Sequence, residues 1–274
     1  MKKGISIWSF SDHTPEVCFS LAKQYGYQGV EIAIGETGAI RYDSTREEVE
    51  AVRRLGESYG LEFYGLVCYD CWTYSLTAND PDNRRRAEEM ITRQLEVASW
   101  LGCDTILVLP GMLEHGEELV AYDVAYDRAL EALKRLAPVA EQYGVVMAVE
   151  NVWNKMLLSP LEMRDFIDRV GSPFVKAYFD VGNVIINGYA EHWIDILGNR
   201  IQKVHFKDYV RADGTGNGFT DILQGDVNYP AVMAALARIG YNDWVTAEVS
   251  AKDGDIPALL QRNAAALDTV LTYQ

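Results

Sequence analysis

Four polar residues close or interrupt short apolar runs in the C-terminal half of the chain. Glu150 follows Val145-Val146-Met147-Ala148-Val149, Asp180 follows Phe174-Val175-Lys176-Ala177-Tyr178-Phe179, His205 lies within Ile201 to Phe206, and Glu248 follows Trp244-Val245-Thr246-Ala247. One acidic residue at such a place is more often a helix cap or a solvated loop residue. Four at matched places on successive runs point to a shared task. Three carboxylates gathered without a cation would repel one another and raise their own pKa values. A divalent ion removes that conflict, and a carboxylate-rich set with one imidazole suits a hard or borderline metal, manganese first, with magnesium or cobalt as alternatives.

Such a centre requires the four runs to end close together. Including these four, eight candidate strands begin near residues 4, 29, 62, 104, 145, 174, 201 and 244, and several are preceded by an amphipathic stretch ending in glycine, as at Tyr25-Gly26, Tyr59-Gly60, Leu101-Gly102 and Tyr143-Gly144. Glycine there is the left-handed residue that stops a helix and turns the chain into a strand. Thr14-Pro15, Asp80-Pro81 and Ser159-Pro160-Leu161-Glu162 supply helix-start chemistry, the last a predicted capping box. Pro138 falls inside the helical pattern from Asp127 to Tyr143, where a bend is expected. Strands apolar on both faces and alternating with helices predict a parallel sheet covered by helices. The count of eight favours closure into a single-domain α/β fold, a (β/α)8 barrel spanning residues 1–274. An open doubly wound sheet would want a glycine-rich first turn, and Ser9-Phe10-Ser11-Asp12-His13 has none. In a closed parallel barrel the C-terminal strand ends share one mouth, which is where Glu150, Asp180, His205 and Glu248 are expected to meet.

Other residues fall at the same predicted mouth. Lys207, two after His205, would point the same way if the strand continues, and could neutralise an anion there. His115 follows Leu109-Pro110-Gly111 and is a secondary candidate, as readily a solvated loop residue. Trp153, with Trp8, Phe10, Trp72 and Tyr74, could stack on the C–H face of a sugar or simply pack at the rim. Asp213-Gly214-Thr215-Gly216-Asn217-Gly218 could wrap a phosphate with backbone amides, but lacks the Lys-Ser/Thr that would make the signal specific. Cys68 and Cys71 form a C-x-x-C pair without the second pair that a structural zinc site needs.

The 274 residues carry 25 basic and 40 acidic side chains, a net charge of −15. That balance disfavours nucleic acid and anionic membrane as partners. The first residues hold too few apolar side chains for a signal-peptide core, and no apolar run approaches a membrane span, so the chain is expected to be cytoplasmic.

The segments Phe179-Asp180-Val181-Gly182-Asn183, Val204-His205-Phe206-Lys207-Asp208 and Thr246-Ala247-Glu248-Val249-Ser250, with Glu150, closely resemble the sugar (phosphate) isomerase/epimerase superfamily, the xylose isomerase-like TIM barrels. Tyr74-Ser75-Leu76-Thr77-Ala78-Asn79-Asp80-Pro81 is similar to the loop after the third strand in the branch of ketose 3-epimerases. The resemblance covers essentially the whole chain and is specific for the metal site. It implies one divalent ion held by Glu150, Asp180, His205 and Glu248, with Glu150 and Glu248 doubling as an acid/base pair. A carboxylate on each face of a small-molecule sugar would then remove a proton from one side of C3 and return it to the other, through a metal-stabilised enediolate. The nearest alternatives are an aldose–ketose or hydroxypyruvate-type isomerase, or another enolisation or lyase reaction on a keto-sugar. Arg211, six residues after His205, matches an arginine that holds substrate oxygens in the ketose 3-epimerases. The sequence departs from that branch at Met156, where a glutamate is expected, and at Asn183, where a histidine is expected; Asn183 remains a candidate substrate contact. The resemblance also implies a homodimer or homotetramer. Apurinic-site endonucleases share the barrel but use several histidines at a richer metal cluster, whereas this chain has four histidines in all. A non-catalytic sugar-binding barrel would not need the acid/base pair.

Overall fold

A computed structural model describes residues 1–11, 13–252 and 254–273. Eight strands, β1 (Lys2–Ser6), β2 (Gly29–Ile34), β3 (Glu62–Cys68), β4 (Thr105–Val108), β5 (Val146–Glu150), β6 (Val175–Asp180), β7 (Ile201–Phe206) and β8 (Trp244–Ala247), close into a parallel barrel in sequence order, with β8 pairing β1. The intervening helices are α1 (Pro15–Gln24), α2 (Arg46–Ser58), α3 (Pro81–Leu101), α4 (Tyr122–Tyr143), α5 (Pro160–Val170), α6 (Ala190–Leu197), α7 (Tyr229–Arg238) and α8 (Ile256–Val270). The chain is therefore a single-domain TIM barrel, as its strand spacing predicts. Among the described residues, no helix is long and apolar enough to cross a membrane.

The local chemistry explains where the elements stop. Gly102 ends α3 at φ 80°, returning its N–H to the Ala98 carbonyl, and Gly144 ends α4 in the same way at φ 66°. A side chain at either glycine would be strained in that conformation. Asp80 and Ser159 cap α3 and α5 through their side-chain oxygens. The predicted box at Ser159 forms only by half, because Glu162 accepts from Leu158 N and the Tyr122 hydroxyl instead of turning back to Ser159. A complete capping box stands at Thr45–Glu48. The α4 helix runs unbroken through Pro138. Its apolar stripe, including Leu130, Leu133, Leu136 and Ala140, is buried, and that packing outweighs one lost backbone bond.

Most of the core lies between the barrel and its helices. A smaller cluster, Ala33, Val67, Leu107, Leu109, Ala148 and Tyr178, is formed from residues at and beyond the C-terminal halves of the strands. Lys203 holds the opposite end. It is 1% exposed on β7 and pairs with Asp104 and Asp243, the residues just before β4 and β8, at 3.0 and 2.5 Å. At β1 the packing leaves no room for a side chain. A Cβ at Gly4 would sit 2.1 Å from the Tyr64 hydroxyl oxygen, whose ring is stacked on Trp244 with centroids 4.1 Å apart. Gly4→Ala is expected to cost about 1–3 kcal/mol through overpacking. Thermal unfolding would show it as a lowered midpoint; an unchanged midpoint would mean that the Tyr64–Trp244 stack yields easily.

Candidate metal centre

Strand alternation sets the site. On each of β5, β6 and β7 the inward residues recur every second position, giving Ala148 and Glu150, Tyr178 and Asp180, and Lys203 and His205. The register then aligns them, for Glu150 pairs with Tyr178, Asp180 with His205, and His205 with Thr246. Glu248 lies one residue past β8, where its N–H continues the ladder by donating to the Phe206 carbonyl at 3.1 Å. Ligand atoms of Glu150, Asp180, His205 and Glu248 all lie within 4.8 Å of one another. The first three are buried, and the Glu248 side chain is 16% exposed at the rim.

The donor set fits a divalent cation on its own geometry. His205 Nδ1 faces Glu248, Glu150 and Asp180 oxygens at 3.4, 3.5 and 3.8 Å, yet has no hydrogen-bond partner. Asp180 Oδ2 is likewise buried without a hydrogen bond, although the Lys207 ammonium stands 2.9 Å away. Leaving such atoms unmatched is costly. An ion between them would satisfy both.

Electrostatics separates the two glutamates. Burial, reinforced by the Glu248 charge, pushes the Glu150 carboxyl up to about 7 against the pull of His205 and Lys207. Burial acts on Glu248 in the same direction, but Lys207 and His205 outweigh it and hold that carboxyl well below the ordinary range. Lys207 Nζ lies 2.6 Å from Glu248 Oε2. Lys207, one residue past the end of β7, keeps the alternation and reaches the cluster.

The strand ends are locked by amides. Asn151 donates to the Asp180 carbonyl and accepts from the Asp180 N–H, both at 2.8 Å. Asn183 donates to the Asn151 carbonyl at 2.9 Å, its own N–H reaches Asp180 Oδ1 at 2.8 Å, and its carbonyl accepts from Trp153 Nε1 at 2.8 Å. In this state Asn183 and Trp153 thus brace Asp180. Beside the cluster lies a hollow of about 260 Å³ lined by Trp8, Lys207, Phe219, Glu248 and Lys252. Trp153 lines a neighbouring one of about 270 Å³ with Met156, Asn183 and Trp193.

Other sequence candidates go elsewhere. Arg211 Nε donates to the Ile185 carbonyl at 2.9 Å, and its guanidinium lies over the Tyr189 ring, which fastens the loop after β6. His115 Nε2 sits 3.1 Å from the Met112 carbonyl and 3.3 Å from Thr77 Oγ1, in a short hairpin outside the four-residue cluster. Phe10 is fully buried in the core, so its ring is not open to a ligand. In the Asp213–Gly218 segment the Asp213 carboxylate itself accepts from Thr215 N, at 3.1 Å, placing a negative charge where a phosphate would need amides. Cys68 and Cys71 are free thiols; Cys68 Sγ meets the Tyr42 hydroxyl at 2.9 Å.

One residue escapes sequence reasoning altogether. Glu31, fully buried on β2, places its two carboxylate oxygens 3.0 and 3.1 Å from His205 Nε2. Its only signal is an acid inside the apolar run Gly29-Val30-Glu31-Ile32-Ala33-Ile34.

Known proteins agree with this architecture. The curated fructoselysine 3-epimerase of Escherichia coli O157:H7 is 22% identical over 271 residues, covering 96% of each chain. The D-psicose 3-epimerase of Clostridium cellulolyticum H10, solved with D-tagatose, superposes with a TM-score of 0.79 at 18% identity over 99% of both chains. The 3-keto-D-glucoside 4-epimerase of E. coli superposes at 0.77 with 18% identity, also over 99% of both. Residues 19–270 match the family described as the xylose isomerase-like TIM barrel, and the chain belongs to that family.

Proposed function

We propose that this chain is a divalent-metal-dependent epimerase that inverts C3 of a ketose or related keto-sugar, with Glu150 and Glu248 as its acid/base pair. The observation that carries the reading is the placement of these two carboxylates on β5 and just past β8, separated around the barrel by β6 and β7 and converging on one centre. Glu150, Asp180, His205 and Glu248 would hold the ion, manganese in the first instance, which when bound polarises a carbonyl and its neighbouring hydroxyl and so acidifies the C–H between them.

The chain's own residues do the rest. One glutamate takes the proton from C3 and the other returns it from the opposite face, so two opposed bases invert where one shuttling base would isomerise. Before an ion binds their environments differ, burial favouring the protonated form of Glu150 while Lys207 and His205 hold Glu248 ionised. Lys207, 2.6 Å from Glu248 and 2.9 Å from Asp180, would donate to a substrate oxygen that gains negative charge. The carboxylate-lined cluster and the Asp213 oxygen in the nearby loop favour a neutral sugar over a phosphorylated one.

Incubation with a panel of ketoses and ketose phosphates in deuterated water tests the reaction type. The expected product is an epimer labelled at C3. An aldose labelled at C2 would instead identify an aldose–ketose isomerase.

A further inference from the structure

The imidazole that faces the centre is held from behind by a buried acid. Glu31 on β2, Tyr178 on β6 and His205 on β7 are each 0% exposed. The Tyr178 hydroxyl donates to Glu31 Oε1, and His205 Nε2 meets both oxygens of the same carboxylate, at 3.0 Å to Oε1 and 3.1 Å to Oε2. Both supporting residues stand at irregularities of the barrel. The β2–β3 register shifts between Val30 and Glu31, and the β6–β7 register shifts between Ala177 and Tyr178. Such shifts re-aim side chains. Here they coincide with the two residues that reach His205 from outside the cluster.

An ionised carboxylate is an acceptor only, so the hydrogen it receives from His205 must ride on Nε2. That leaves Nδ1, which has no hydrogen-bond partner, as the nitrogen turned toward Glu150, Asp180 and Glu248. We propose that Glu31, oriented by Tyr178, is a positioning residue that fixes the tautomer and ring orientation of His205 and thereby raises the affinity of the four-residue cluster for a divalent cation. Glu31 touches neither the ion nor a sugar. It acts through the imidazole, as carboxylates behind metal-bound histidines do.

The inference rests on the metal-centre reading above, and calorimetric titration of chelator-stripped protein with manganese separates the two. Glu31→Ala is expected to weaken manganese binding by about 10–100-fold. Glu31→Gln keeps an acceptor without the charge and should fall between Glu31→Ala and the unaltered protein, and Tyr178→Phe, which removes only the supporting hydroxyl, should lose less than either. Glu31→Asp should recover part of the loss. Far-UV circular dichroism and the metal-free melting midpoint identify the folded variants. Should Glu31→Ala fail to fold, Glu31→Gln and Tyr178→Phe carry the test. Unchanged manganese affinity in folded Glu31→Gln and Tyr178→Phe would overturn the role of Glu31 while leaving the centre intact. Absence of manganese binding by the unaltered protein would overturn the centre itself.

Discussion

Glu150→Gln and Glu248→Gln are each expected to lower C3 inversion by about 10²–10⁴-fold, the usual worth of a positioned acid or base. The amide keeps the shape and an oxygen for the ion but can neither take nor give the proton. Both residues also belong to the proposed ligand set, so turnover should be compared at saturating manganese, with affinity measured separately on the same variants. The two-base arrangement makes a sharper claim than loss of rate. Each glutamate serves one face of C3, so each variant should stop inversion yet retain wash-in of solvent deuterium from the one epimer whose proton the remaining carboxylate can reach. Variants that lose exchange from both epimers equally would favour a single shuttling base. Retention of more than a tenth of the inversion rate in either variant would remove that glutamate from the chemistry.

The second large effect concerns the ion. Ligand bound only by the folded state stabilises by RT ln(1 + [L]/Kd), about 2.7 kcal/mol at a hundredfold excess over Kd. For a chain of this size that corresponds to a melting midpoint raised by roughly 5 °C. Asp180→Asn is expected to abolish most of that rise. Asp180 sits 0% exposed, with one oxygen tied to the Asn183 N–H and the other left without a hydrogen bond, so the amide would present a donor where the ion needs an acceptor. The metal-free protein should remain folded, because Lys207 pairs with both Asp180 and Glu248 and relieves part of the repulsion among the three carboxylates. A midpoint indifferent to manganese in the unaltered protein would contradict the site.

The barrel and its rim were legible in the sequence for one physical reason. Parallel strands buried on both faces appear as apolar runs, and a charged residue that ends such a run stands out, as Glu150, Asp180 and Glu248 do. His205 is marked by its place within a fourth such run. Glu31 breaks the same rule from within, because period-two alternation cannot tell which face of a doubly buried strand looks into the barrel, and the register shift beside Glu31 has no mark in composition. Arg211 shows the opposite limit. Its distance along the chain from His205 was readable, but its side chain is spent on the Ile185 carbonyl and the Tyr189 ring, a choice made by the packing of the loop after β6. Asn151 looks like an ordinary loop amide and Asn183 like a candidate substrate contact until the fold places them back to back around Asp180.

The most direct measurement of the central claim compares chelator-stripped protein with the same protein given one equivalent of manganese, each incubated with ketoses in deuterated water, quenched and analysed by mass spectrometry. Deuterium at C3, accompanied by the C3 epimer and confined to the reconstituted sample, is the predicted result. Equal labelling by the stripped protein would contradict a cation held among Glu150, Asp180, His205 and Glu248 as the basis of the reaction.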